Sequence, residues 1–255
     1  MFQVSRGVAP HGFQQKSANL LAAFYTARNA DPKTTPSKFW SSVRKKLREE
    51  ATILATRLHF KCAFCESRAS HVQNPHIEHY RPKGRPEFEH LMFDWNNWLL
   101  SCGRCNESKW QYFPDCGGVP CLLDPALDDP IGHVEFCHTM IEGISIRGWR
   151  TIQLLDLQRV PLTRERGSWL IKIDILLLLA ALAIDANVKT ESRRLLLWSM
   201  QADAPYSAMT KRHLRRRAPK LAQPAVPHPH ISEDDAHSKL RGFIAKHRDL
   251  IVGLA

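Results

Sequence analysis

No apolar run in this chain is long enough to cross a bilayer. The longest, "ILLLLAALAI" from Ile175 to Ile184, has ten residues where about 20 are needed. Lys172 and Asp174 stand just before it, so a buried helix is the expectation. The opening stretch, "MFQVSRGVAPHGFQQKSANLLAAF", lacks the apolar core of a signal peptide. The expected location is therefore cytoplasmic, with no membrane partner. An even cysteine complement is missing too: there are seven. Without an export signal, an odd count argues against a disulfide framework and for metal ligation or free thiols. Acidic residues are in deficit, 25 Asp+Glu against 36 Lys+Arg, which leaves a formal charge of +11. That surplus favours a polyanionic partner, either nucleic acid or an anionic membrane surface. No internal repeat is visible.

What is present divides along the chain. Thr35-Pro36 reads as an N-cap followed by proline at the first helical position. Trp40, Val43, Leu47, Ala51, Leu54 and Leu58 then recur at three- and four-residue spacings, as on one amphipathic helix. The charges of "RKKLREE" on its outer side read as a solvated face, since mixed signs are usual there. Helical patterns return in "TIQLLDLQR", through residues 168–184, and in "ESRRLLLWSMQ". "KRHLRRR" is the strongest basic run, either a grip on phosphates or a solvated helix end. "APKLAQPAVPHPH" reads as a stiff linker, and Ser232 caps a last helix carrying Leu240, Phe243, Ile244 and Ile251.

Between these helical regions, Cys62-x-x-Cys65 and Cys102-x-x-Cys105 form two knuckles separated by 36 residues. Each offers two thiolates on a tight turn, and together they complete a tetrahedral four-cysteine zinc site. The alternative is four unrelated buried thiols. A four-thiolate site has no open coordination position, so its zinc is expected to be structural, a clasp that contributes to folding. Cys116, Cys121 and Cys137 remain and are expected to be ordinary free cysteines.

Inside the clasp lie Glu78-His79 in "IEHYRP", Asn97 five residues before Cys102, and Asn106 directly after Cys105. This constellation resembles the HNH endonuclease motif of the ββα-metal type, here in an H-N-N form. Phosphodiester hydrolysis needs a water deprotonated near neutral pH, which suits imidazole. It also needs a hard cation to neutralise charge on the phosphate. Glu78 and the Asn106 amide oxygen are hard donors suited to Mg²⁺. Adjacent strand residues point to opposite sides, so Glu78 and His79 converge only where the strand ends, and Pro82 supplies an ending. The resemblance implies His79 as general base, Glu78 and Asn106 as ligands of a catalytic Mg²⁺, and Asn97 as a support for the loop and the imidazole. Lys83, Arg104 and Lys109 are candidates to touch phosphate, against the plainer reading of solvated charges. His76 and His90 read as polar surface residues.

A narrower likeness extends over residues 59–210. "KCAFCESR", "IEHYRPKG", "FDWNNWLLSCGRCNESK", "RGWRTIQLLDLQR" and "APYSAM" follow in an order similar to the PtuB nuclease family of Septu antiphage systems. Phe64 stands where that family often has tyrosine, and residues 1–58 fall outside the likeness. It implies DNA as substrate and a PtuA-type ATPase as partner. The expected architecture is α+β: a ββα-metal core with a four-cysteine zinc clasp, embedded in a mainly helical protein. Expected divisions are a helical segment 1–58, the core 59–118, a helical domain 119–217, a Pro-rich linker 218–231 and a final helix 232–255. The rival expectation is a non-catalytic, zinc-stabilised nucleic-acid-binding or assembly subunit of an ATPase complex.

Overall fold

Helices dominate the chain, and its sheets are small. The structure, a computed structural model, describes residues 3–68 and 76–222, with side chains through Arg217. The described residues form two compact units. The first runs up to Glu135 and resumes over Glu142–Leu157; the second comprises Phe136–Ile141 and the chain from Gln158 onward.

In the first unit, helix α1 (Phe13–Ala30) is followed by α2 (Pro36–Val43) and α3 (Arg48–Arg57). Thr35 caps α2 as expected, its hydroxyl accepting from the Lys38 amide at 3.3 Å, with Pro36 in the first turn. The single amphipathic helix expected here is instead broken by a 3-10 turn over Arg44–Leu47. At that break the Lys46 carbonyl accepts from the Lys16 ammonium at 2.7 Å, an outside donor for a carbonyl that a continuous helix would use itself. Val43, Leu47, Glu50 and Leu54 still face inward.

Strands β1 (His76–His79) and β2 (Trp98–Ser101) pair antiparallel, with His79 opposite Trp98 and Glu78 opposite Leu99. Helix α4 (Gly103–Lys109) follows directly. All four residues of β2 are buried, because both edges are occupied: β1 pairs on one side, and the Ala63 amide of the first knuckle donates to the Leu100 carbonyl on the other at 2.9 Å. Helix α1 covers this strand through Phe13, whose ring packs edge-on against Trp95 and Trp98.

Even the first described residues are built in. Arg6 is buried, donates to the Trp98 carbonyl at 2.7 Å and forks onto both Asp124 oxygens at 2.8 and 2.7 Å. Residues 119–135 and 142–157, expected to belong with the later helices, lie in this first unit. The reason is polar stitching. The Tyr80 hydroxyl donates to the Leu122 carbonyl at 2.6 Å, and Arg147, on helix α5 (Ile146–Leu154), forks onto Asp128.

A correction concerns the spare cysteines. Cys116 and Cys121 form a disulfide with Cα atoms 5.0 Å apart, while Cys137 is free as expected. Gly117 and Gly118 sit at φ of 76° and 88°, a left-handed pair that closes the turn and that side chains would resist.

The second unit takes in the tip of a hairpin formed by β3 (Val134–Cys137) and β4 (Met140–Gly143), then α6 (Val160–Leu182), α7 (Ala186–Ser199) and α8 (Ser207–Ala222). Its core joins Ile173, Leu177, Ala180, Leu196, Met200 and Leu214. Asp185 caps α7, accepting from the Asn187 and Val188 amides. The apolar run of α6 is not buried all round, since Ile175 and Leu178 are about half exposed. Within "KRHLRRR", His213 and Leu214 face inward. Helix α8 continues to Ala222, past the expected start of the linker at 218; the rest of that linker and the final helix lie outside the described residues. No described helix is long and apolar enough to cross a membrane.

Candidate active site and metal centre

The cysteine frame closes on itself. The Sγ atoms of Cys62, Cys65, Cys102 and Cys105 all lie within 4.8 Å of one another. Zinc–sulfur bonds of about 2.3 Å in a tetrahedron put sulfurs about 3.8 Å apart, and Cys65 Sγ and Cys102 Sγ are separated by 3.8 Å. The donor set therefore fits a closed, structural metal ion. The thiols also perturb one another. Hydrogen bonding from Cys102 brings the Cys65 thiol well down, whereas burial pushes Cys62 up. One knuckle docks on β2 and the other leads from β2 into α4, so the clasp sets the strand and the helix in register.

Beside it, a cleft of about 1060 Å³ is lined by Glu78, His79, Lys83 and Asn106. Glu78 and His79 reach it together because regular strand ends at His79 and the chain bends at Tyr80, two residues before Pro82. Glu78, His79 and Asn106, the expected site groups that face the cleft, each keep an atom without a hydrogen-bond partner among the described residues. Glu78 Oε1 accepts from Lys109 Nζ at 2.6 Å, leaving Oε2 unpartnered among the described residues. His79 Nε2 lies 2.9 Å from the Met92 carbonyl. A carbonyl only accepts, so Nε2 carries the hydrogen and Nδ1 keeps its lone pair. The Asn106 side-chain amide is likewise unpartnered among the described residues. Two hard oxygen donors beside an imidazole fit a hard divalent ion such as Mg²⁺.

The electrostatics follow from burial. His79 is held well below its ordinary pKa, first by desolvation and then by the Lys83 charge, so the ring is neutral at pH 7. Burial raises the Glu78 carboxyl against the opposing pull of Lys109 and Lys83. The His79 ring is further fixed by Trp40, which meets it edge-on at 4.6 Å and stacks on Phe93 at 5.8 Å.

Asn97 does not line the cleft. Its Oδ1 accepts from the Arg81 amide at 2.7 Å, and its Nδ2 donates to the Arg81 and Leu91 carbonyls. It thus pins both ends of the loop that carries Met92, the acceptor for His79, and acts as a positioning group. Lys83 sits on the cleft with its ammonium 5.7 Å from the Trp40 ring centroid, its pKa lowered by burial. Arg104 is exposed and pairs with Glu107 at 3.4 Å. Lys109 differs from expectation: it is 1% exposed and spans Glu78 and the His79 carbonyl at 2.8 Å. An ammonium held there is not offered to a phosphate. His76 opens β1 on the exposed side.

Sequence reasoning missed the opposite wall. Ser37, Trp40, Arg44, Arg48, Ala51 and Ala55 line the cleft, although the sequence pattern reads Arg44 and Arg48 as part of a solvated face and Trp40 and Ala51 as part of the apolar stripe. The available signal was the spacing of 37, 40, 44, 48, 51 and 55, a stripe that shares Trp40 and Ala51 with the apolar one and runs along its edge.

Compared with known proteins, the chain is similar to two curated bacterial proteins, each named Septu protein PtuB. The one from Bacillus mycoides (strain KBAB4) is 36% identical over 137 aligned positions, covering 42% of this chain and 46% of that protein. The one from Bacillus thuringiensis is 30% identical over 101 positions, covering 39% of this chain and 37% of that protein. The matches span less than half the length of these curated relatives. No family model matches the chain, and no solved structure does.

Proposed function

We propose that this chain is a metal-dependent HNH endonuclease that hydrolyses phosphodiester bonds of DNA and serves a Septu-like antiphage defence together with a PtuA-type ATPase. One observation carries the chemical part: Glu78 Oε2, His79 Nδ1 and the Asn106 amide are unpartnered atoms on a single cleft. A carboxylate oxygen, an amide oxygen and an imidazole lone pair facing one cleft are the acceptor atoms that a cation and a water would need. The relatives named Septu protein PtuB support the biological part.

In this reading His79 Nδ1 takes the proton of a water as its oxygen attacks phosphorus. The bond from phosphorus to the leaving oxygen breaks, and solvent protonates that oxygen. Met92, through its carbonyl, keeps the base in the tautomer that accepts at Nδ1 and steadies the imidazolium that forms. Glu78 and Asn106 would hold a divalent ion, which supplies positive charge at the phosphate and the leaving oxygen. Lys109 orients Glu78 from behind. The four cysteines would hold zinc, keeping β2 and α4 in place.

A non-catalytic nucleic-acid-binding subunit is the second reading, favoured by the Lys109 ammonium already seated on Glu78. A supercoiled-plasmid assay separates the two, run with and without Mg²⁺ and with and without the ATPase. The nuclease reading expects Mg²⁺-dependent nicking that falls about 10²- to 10⁴-fold in His79→Ala at unchanged zinc content. Nicking by that variant at the wild-type rate would remove His79 as the base. Absence of cutting under every condition would leave the binding subunit.

A further inference from the structure

The cleft has two walls of different chemistry. On one side, the stripe at residues 37, 40, 44, 48, 51 and 55 runs down α2, the 3-10 turn and α3. Arg44 and Arg48 lie on it with Lys45 beside them. All three are exposed, and none is ion-paired among the described residues. On the other side, Trp110 closes α4 one turn beyond Asn106. It is 65% exposed and lines the same cleft. Its backbone stands at φ 42° and ψ −118°, an outlying conformation for a bulky residue. A large aromatic that carries backbone strain and yet buries little surface calls for a use outside the fold.

We infer that the cleft binds an unpaired DNA strand, its backbone held by Arg44, Lys45 and Arg48 and a base stacked on Trp110. Guanidinium and ammonium groups track phosphates without reading sequence. An exposed aromatic face adds stacking for any base free of its neighbours, which a base inside a duplex is not. Lys83, over Trp40, lies between the basic wall and Glu78 and would meet the phosphate next to the one to be cut. The inference rests on the nuclease reading for its scissile phosphate, but its binding surface stands on separate residues.

The test is fluorescence anisotropy of the full chain without added Mg²⁺, so that binding is read in the absence of turnover. The probes are a labelled single-stranded oligodeoxynucleotide, its ribonucleotide counterpart and the matching duplex. Trp110→Ala is expected to weaken single-stranded DNA binding about 5- to 150-fold and leave duplex binding unchanged, with Trp110→Phe restoring most of the loss. Replacing Arg44, Lys45 and Arg48 together with Ala is expected to flatten the salt dependence, reducing the slope by about 2 for three lost phosphate contacts. Zinc content and circular dichroism verify that both variants fold. Unaltered single-strand affinity in Trp110→Ala, or an unaltered salt slope in the triple variant, overturns the inference. A Trp110 effect confined to the ribonucleotide probe would overturn the assignment to DNA. Binding through Trp110 by a chain that never cuts would sink the nuclease reading and keep this surface; Mg²⁺-dependent cutting with no Trp110 effect would do the reverse.

Discussion

The first unit gathers buried ionisable groups beside one cleft, whereas the second, which also buries Arg166 and His213, is built mainly on apolar packing. Glu78, His79 and Lys109 are each at most 3% exposed, and so is Glu66 beside the first knuckle. In α6, α7 and α8 the interior is Ile173, Leu177, Ala180, Leu196, Met200 and Leu214, with polar groups such as Trp169 Nε1 and Thr210 Oγ1 paired off at 2.9 Å. Apolar packing is the less expensive route to a stable interior, because a buried charge must be compensated. A unit that nevertheless buries carboxylate, imidazole and ammonium side by side, with acceptor atoms open to one cleft, is organised around a polar site. The second unit is organised around its own cohesion.

Substitutions can break that comparison, and the largest effect belongs to the clasp. Cys62→Ser or Cys105→Ser is expected to lose bound zinc and, with it, cooperative folding of the first unit, since structural zinc contributes on the order of 10 kcal/mol to small domains. Metal analysis together with thermal unfolding checks this, and wild-type protein devoid of zinc would end it. Next comes Lys109→Met. Removing one member of a buried pair strands the other, which costs about 3–5 kcal/mol, measurable by denaturant titration. The stranded Glu78 carboxyl then has its folded pKa raised further above the unfolded value. Such a group destabilises when charged, so the deficit should narrow as pH falls and widen as pH rises. A deficit independent of pH would mean that Lys109 matters by volume alone.

Leu177→Ala, in the second unit, sharpens the contrast from the other side. It should cost about 2–5 kcal/mol and leave zinc content and cleavage per folded molecule unchanged. If it altered metal content, the division of labour drawn above would fail. The smallest effect is expected for Glu191→Gln on α7, whose partner Arg194 is as exposed as the carboxylate itself. Exposed pairs contribute little, and no change in melting temperature should be detectable.

How much of this was legible in the sequence depended on how local the constraint was. The cysteine knuckles were readable because coordination demands fixed short spacings, and the cap at Thr35-Pro36 was readable because capping chemistry is local. The residues of the candidate site were readable as a set through Glu78-His79 and the two asparagines, all anchored to the knuckles. The second wall was not. Trp40 approaches His79 across 39 positions, through tertiary packing alone, and Arg44 and Arg48 look like any solvated charges until the cleft beneath them is seen. Lys109 was misjudged for a general reason: lysine is almost never fully buried, and only the neighbouring carboxylate explains this exception. The Cys116–Cys121 bond escaped because compartment and an odd count argued against it, while the two glycines that close its turn were the signal that went unused.

Arg6 carries a consequence for how the molecule is made. Its partners, Trp98 and Asp124, are 92 and 118 positions downstream. During synthesis Arg6 must therefore wait, unfastened, until the chain through Asp124 has left the ribosome. A fragment cut to residues 59–118 keeps every cysteine of the clasp but forfeits this fastening and the aromatic backing of His79. Gene truncations aimed at a minimal catalytic piece should begin upstream of Arg6 and end beyond Asp128.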